Sequence, residues 1–197
     1  HFRHVKQILG TEPESSHCAA LCALVWENDP LFICDPYVNV DPTPEQLAHM
    51  TLLSAEQIRR FGIVPKVALI SHSNFGSSRT ESARKMQHVL SILEQKAPDL
   101  EVEGEMHADA ALCPEIRTRI FPNSKLQGAA NLLIMPNIES ANIAFNLARS
   151  IGNGLSIGPI LMGIKGKAHI LTSSVTVRGI INMAALAVID AQERLGV

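Results

Sequence analysis

Apolar residues in this chain fall into two patterns: short unbroken runs, and longer stretches in which they recur every three or four positions. The first predicts strands buried on both faces of a sheet; the second predicts helices with one apolar face. Leu31-Phe-Ile-Cys34, entered through Asn28-Asp29-Pro30, and Val67 to Ile70 are such runs. Leu100 to Met106 and Asn131 to Met135 read as further strands, with a short one around Ala168 to Leu171. The stretch from Cys18 to Trp26 fits either a helix or a strand.

Helical spacing runs from Pro44 to Phe61, with Thr43 placed to cap its start and Gly62 to end it. A second helix is expected from about Thr80 to Gln95, carrying Met86, Val89, Leu90 and Leu93 on one face and closed by Ala97-Pro98. Others follow from about Ala108 to Arg119 and from about Glu139 to Ile151. Gly158-Pro-Ile-Leu-Met-Gly163 and a Gly/Lys link lead to a final helix from Val177 to about Arg194. That helix is apolar almost all round, which calls for burial against more than one sheet face. Strands alternating with helices predict an α/β fold of three layers, a parallel sheet with helices on both faces.

The composition adds exclusions. With 46% apolar and 18% charged residues over 197 positions, the chain reads as an ordinary globular one. Its 17 basic and 19 acidic residues are mixed, so no basic stripe offers itself to nucleic acid. Apolar stretches end well short of the roughly 20 residues that cross a bilayer, so no membrane partner and no signal segment are expected. Cys18, Cys22, Cys34 and Cys113 lack metal-ligand spacing and read as reduced thiols of a cytoplasmic protein, with no metal site. The opening His1-Phe-Arg-His4 without methionine suggests a fragment or a processed chain.

Candidate chemistry gathers where strands end. The loop Ser71-His-Ser-Asn-Phe-Gly-Ser-Ser78 follows a strand at the edge where parallel sheets place ligands, and its small residues would leave backbone N–H groups free for an anion. The same loop also fits a plain connector. Met135-Pro-Asn-Ile-Glu-Ser-Ala-Asn142 closes another strand at that edge; Asn137 and Asn142 suit ligand contacts as well as a turn and a helix-face bond. Glu101, Glu103 and Glu105 share one side of a strand by its two-residue period, just before His107 and Asp109. They could hold a metal or exchange protons, or face solvent or a domain cleft while Asp109 caps the next helix. No GxSxG elbow accompanies the serines.

Six blocks together resemble the phosphate acetyltransferase/butyryltransferase family: Asn39-Val-Asp-Pro-Thr-Pro-Glu-Gln-Leu-Ala48, the Ser71 to Ser77 loop, Glu103-Gly-Glu-Met-His-Ala-Asp-Ala-Ala111, Ala130-Asn-Leu-Leu-Ile-Met-Pro136, Ala141-Asn-Ile143 and Gly158-Pro-Ile-Leu161. They stand in the family's order over about residues 20–195. The resemblance implies acetyl transfer between coenzyme A and phosphate in a cleft between two α/β domains. It also implies that residues 1–165 supply the second domain, incomplete at its N-terminal side, while 166–197 supply a strand and helix that pack on a first domain. The family's serine falls on Thr172, its arginine on Ser173 and its catalytic aspartate on Gly179, and Phe75 stands where a lysine is usual. A serine cannot give an arginine's two parallel bonds to an oxyanion, and a glycine side chain accepts no proton from a thiol.

With those departures the chain resembles the acetyltransferase-like C-terminal domain of large bacterial NADP-dependent malic enzymes. That likeness implies a non-catalytic regulatory and oligomerisation domain that binds acetyl-CoA, or a related CoA ester, as an allosteric inhibitor. The parent reaction it implies is the oxidative decarboxylation of malate to pyruvate. NADP and a divalent metal, Mg or Mn, are then expected in other domains, with no cofactor here. The contacts it implies come from Ser71, Ser73, Asn74, Gly76, Ser77, Asn137, Asn142, Gly158, Pro159, Lys165, Thr172 and Ser173, with Lys165, Lys167 and Arg178 as cations for phosphates. A homo-oligomer, at least a dimer, is expected through apolar helices. The alternative is an active phosphate acetyltransferase.

Overall fold

A computed structural model describes residues 1–12, 17–26, 29–165, 168–173 and 175–195. Its elements in chain order are α1 (Phe2–Leu9), β1 (Ala19–Trp26), β2 (Asp29–Cys34), α2 (Pro44–Arg60), β3 (Lys66–Ile70), α3 (Glu81–Lys96) and β4 (Glu101–Met106). There follow α4 (Ala108–Leu112), α5 (Pro114–Ile120), β5 (Leu132–Ile134), α6 (Ile138–Gly152), β6 (Leu155–Met162) and α7 (Val177–Leu195). One six-stranded sheet carries them in the order β4-β3-β5-β2-β1-β6.

The expected three layers are present. Along β3, Val67 and Leu69 enter one core and Ala68 and Ile70 the other, which is why the run is apolar without alternation. The first core receives Leu47 and Met50 of α2, Met86 and Val89 of α3, and Met183 and Leu186 of α7. The second receives Ala110 of α4, and Ala141 and Phe145 of α6.

Capping residues set the helix starts. The Thr43 hydroxyl accepts from the Gln46 N–H while the Gln46 side chain accepts from the Thr43 N–H, with Pro44 in the first turn. Thr80 and Asn137 cap α3 and α6 through Ala83 and Ser140.

Several local expectations need correction. The sheet is parallel from β4 to β2, but β1 runs antiparallel to both its neighbours, β2 and β6. Two residues separate β1 from β2, and so short a connection joins only antiparallel partners. The segment from Gly158 to Met162, for which the sequence predicts no element, is the second half of β6, with Ile160 to Met162 paired to β1. Residues 168–171 form no strand. The helix expected over 108–119 breaks at Cys113, because Pro114 disfavours helical backbone in the residue before it. Asp109 does not cap: His107 occupies that position, and the Asp109 carboxylate accepts from Ala110 N–H inside the first turn.

The last helix lies along β6. Asp190 is 2% exposed and pairs with Arg60 of α2 and with His169. The Leu161 N–H donates to His169 Nδ1, so the ring proton sits on Nε2 and faces Asp190. The opposite face leaves Val177, Ile181, Val188 and Ile189 at least half exposed.

Candidate functional site

At the carboxyl edge of β3, the N–H groups that the sequence leaves available for an anion are already engaged. Gly76 N–H donates to Glu105 Oε1 over 2.9 Å, and the Ser73 hydroxyl donates to the same oxygen over 2.6 Å. The N–H groups of Ser73, Asn74 and Ser78 go to the hydroxyls of Ser71, Ser77 and Ser73, and that of Phe75 to the Glu105 carbonyl. The anion in this cradle is therefore the chain's own Glu105, itself 1% exposed. Phe75 sits at φ 46° with its ring stacked 4.3 Å from that of Phe121.

The three glutamates of β4 neither meet solvent as a set nor gather around a metal. Leu69 pairs with Gly104 and Ile70 with Met106, so Glu105 drops out of the ladder and turns toward the loop. Glu103 accepts from the N–H groups of Gly104 and Lys125, and Glu101 from that of Gln127. Each carboxylate staples a loop. Among the described residues no group of three or more His, Cys, Asp or Glu side chains could hold a metal ion.

Asn137 and Asn142 act locally. The first caps α6, and the second donates to the Pro36 carbonyl over 3.0 Å. Asn137 also borders an open groove between the starts of α2, α3 and α6, where Lys85 is paired with Asp41 at 2.6 Å.

A separate cavity of about 300 Å³ opens between α6, β6 and the segment that leads into α7. Gly158 and Pro159 form part of its wall, with Cys22 of β1, Tyr37, and Phe145 and Arg149 of α6. Thr172, Val175, Thr176 and Gly179 close it. Gly158 has φ 119°, and a Cβ there would lie 2.8 Å from the Leu21 carbonyl oxygen, so only glycine lets β6 approach β1 this closely. Tyr37 is presented by a turn centred on Asp35, whose buried carboxylate accepts from the N–H groups of Ala20, Val38 and Asn39. Burial pushes the Asp35 carboxyl above the usual carboxylate range, with those hydrogen bonds working against it. The Tyr37 ring meets Phe145 edge-on at 6.2 Å, and the Arg149 guanidinium lies 5.6 Å above the Phe145 ring centre. Thr176 caps α7 by accepting from Gly179 N–H.

The electrostatics of the cavity are simple. Among the described residues that line it, Arg149 is the one charged side chain and there is no carboxylate. Arg149 makes no hydrogen bond or ion pair among the described residues. Burial, and next to it Asp35, pushes the Cys22 thiol far up, so it stays a protonated, apolar neighbour with no nucleophilic role.

Of the twelve residues picked out in the sequence, Gly158, Pro159 and Thr172 meet at this cavity. Ser71, Ser73, Asn74, Gly76 and Ser77 form the loop around Glu105, away from it. Ser173 is exposed beside Thr172, and Lys165 is exposed where its N–H meets the Gly10 carbonyl. Arg178 is exposed on α7, and Lys167 lies outside the described residues. Sequence reasoning passed over Tyr37 and Arg149. A signal existed for the second: Phe145 and Arg149 stand four apart on one helix, the spacing at which a guanidinium reaches a ring.

Comparison with known proteins places this geometry. The model of the phosphate acetyl/butaryl transferase family matches residues 1–188. An NADP-dependent malic enzyme of Salmonella typhimurium is 51% identical over 193 residues, which are 98% of this chain and 25% of that protein. A phosphate acetyltransferase of Corynebacterium glutamicum is more distant, at 33% identity over 95% of this chain and 57% of its own length. The crystal structure of a phosphotransacetylase from Streptococcus pyogenes superposes with a TM-score of 0.87 at 30% identity, covering 95% of this chain and 59% of that one. The chain spans about a quarter of the length of the malic enzymes it matches.

Proposed function

The chain belongs to the phosphate acetyl/butaryl transferase family, and from that premise we propose that it serves an NADP-dependent malic enzyme as a non-catalytic regulatory and assembly domain. It binds acetyl-CoA, or a related CoA ester, as an allosteric inhibitor in the cavity walled by Gly158, Pro159 and Thr172. The observation that carries this reading is a ligand-sized cavity whose described lining holds no carboxylate, although the position of the family's catalytic aspartate falls within it. Thr172 and Gly179 line it where the family's serine and aspartate are expected, and Ser173 stands for the arginine. With no carboxylate in the described lining, no aspartate or glutamate there takes the proton of a coenzyme A thiol. The cavity lies at the small end of ligand pockets and would take one end of a CoA ester while the rest lies outside. NADP and the Mg or Mn ion of malate decarboxylation belong to other domains in this reading. The described residues of this chain do not fit such a metal.

Inhibition follows if acetyl-CoA binds one conformation of the assembly better than the other, since differential affinity is what moves such an equilibrium. The half-exposed apolar face of α7 supports a homo-oligomer of at least two chains. The test pairs two assays on the intact protein. Acetyl-CoA is expected to lower malate oxidation, while acetyl phosphate formation from acetyl-CoA and phosphate stays at background. Acetyl phosphate turnover well above background overturns the non-catalytic reading, and unchanged malate oxidation under saturating acetyl-CoA overturns the regulatory one.

A further inference from the structure

Arg149 differs from Lys85 and Arg60, two other cations that border hollows of the molecule. Lys85 beside the open groove is held by Asp41, and Arg60 beside the small hollow at α7 is held by Asp190. Among the described residues, Arg149 faces a cavity lined by no acidic residue, and its guanidinium lies over the Phe145 ring and makes no hydrogen bond. A cation stacked on a ring keeps all five N–H donors for a ligand. We infer that Arg149 is the anion-holding residue of this cavity, and that the anion it takes is the carboxylate of a small organic acid carrying a single negative charge.

Charge balance selects that class. One guanidinium neutralises one negative charge, and a dianion would leave a second charge uncompensated between walls of Phe145, Leu155, Pro159 and Val175. The planar fork of the guanidinium matches a carboxylate with two parallel bonds, and the hydroxyls of Tyr37, Ser156 and Thr172 stand around the same space. The short apolar body of such an acid fits the aliphatic part of the wall. This inference rests on the reading of the cavity as a ligand site and goes beyond it by naming a second ligand class, one that competes with a CoA ester for the same walls.

The experiment is calorimetric titration of the intact protein with propionate, at a pH well above the second ionisation of phosphate so that orthophosphate serves as the doubly charged control, with acetyl-CoA as a separate arm. Propionate is expected to bind more tightly than orthophosphate. Arg149→Gln is expected to weaken propionate by about tenfold or more, the scale of a lost charge-assisted pair, and Arg149→Lys by less. A thermal melt matching wild type shows that each variant is folded; if Arg149→Gln melts early, Arg149→Lys alone carries the comparison, expected to be weaker than wild type. Propionate binding equally to the folded variants and wild type, or more weakly than orthophosphate, overturns the inference. Acetyl-CoA binding with no propionate binding removes the inference and leaves the proposed function. Propionate binding with no acetyl-CoA binding does the reverse, and binding of neither removes both.

Discussion

The loop at residues 71–78 and the cavity beside α6 both set polar groups next to strands, yet they spend their polarity differently. In the loop, nearly every donor already has an acceptor within the chain, and the one buried anion is Glu105. In the cavity, the single cation has no partner among the described residues. A polar cluster that satisfies itself stabilises a fold, whereas one left unsatisfied beside a hollow is available to a ligand. Mutations in the loop are therefore expected to show in stability, and mutations in the cavity in binding.

The largest effect should come from Glu105→Ala. It strips the acceptor from a buried hydroxyl and a backbone N–H, each costing about 1–3 kcal/mol, so a fall of about 3 kcal/mol in unfolding free energy is expected by urea titration. A loss below about 1 kcal/mol would break the structural reading of the loop. Gly158→Ala comes next, at about 2–3 kcal/mol, because the new Cβ meets the Leu21 carbonyl oxygen in a backbone region that disfavours side chains. It should also weaken acetyl-CoA binding, which Glu105→Ala variants that remain folded should not.

Asp35→Asn is expected to cost about 2 kcal/mol, since the amide turns a donor toward N–H groups that need an acceptor. Asp35 also gives a pH signature. Its folded pKa is raised by burial, so its contribution is fully present below the unfolded value of about 3.9 and is lost as pH rises through the folded value. Wild-type stability should carry that downward component above pH 4, and Asp35→Asn should remove it; equal pH slopes in the two proteins would contradict the assignment. Arg149→Gln is the smallest in stability, within about 0.5 kcal/mol, because among the described residues the side chain has no partner to lose beyond the Phe145 ring. For the oligomer expected from α7, light scattering should give at least twice the monomer mass, and a monomer at high concentration would contradict it.

Much of the scaffold was legible because each signal had a local cause. Thr43, Thr80 and Asn137 cap helices by short-range hydrogen bonds, and Val67 to Ile70 is apolar throughout because two cores meet on it. What stayed hidden depends on distant partners. Gly158-Pro159 looks like a chain breaker until the residues on either side of it are seen to pair with β1, and a carboxylate at 105 looks solvent-bound until the register shift turns it into the loop. The family's replaced positions, Thr172 and Gly179, were found by matching blocks and do line one hollow. Arg149 was missed because a lone arginine on a helix is ordinary in sequence, and what sets it apart is its place in a cavity with no acidic residue among the described ones.

The central claim is that the cavity, and not the self-satisfied loop, receives the CoA ester. A crystal structure of the intact protein with acetyl-CoA tests it most directly. The account predicts ligand against Gly158, Pro159 and Thr172, with the hydrogen bonds from Gly76 and Ser73 to Glu105 unchanged; ligand seated on residues 71–78 in place of Glu105, with the cavity vacant, would contradict it.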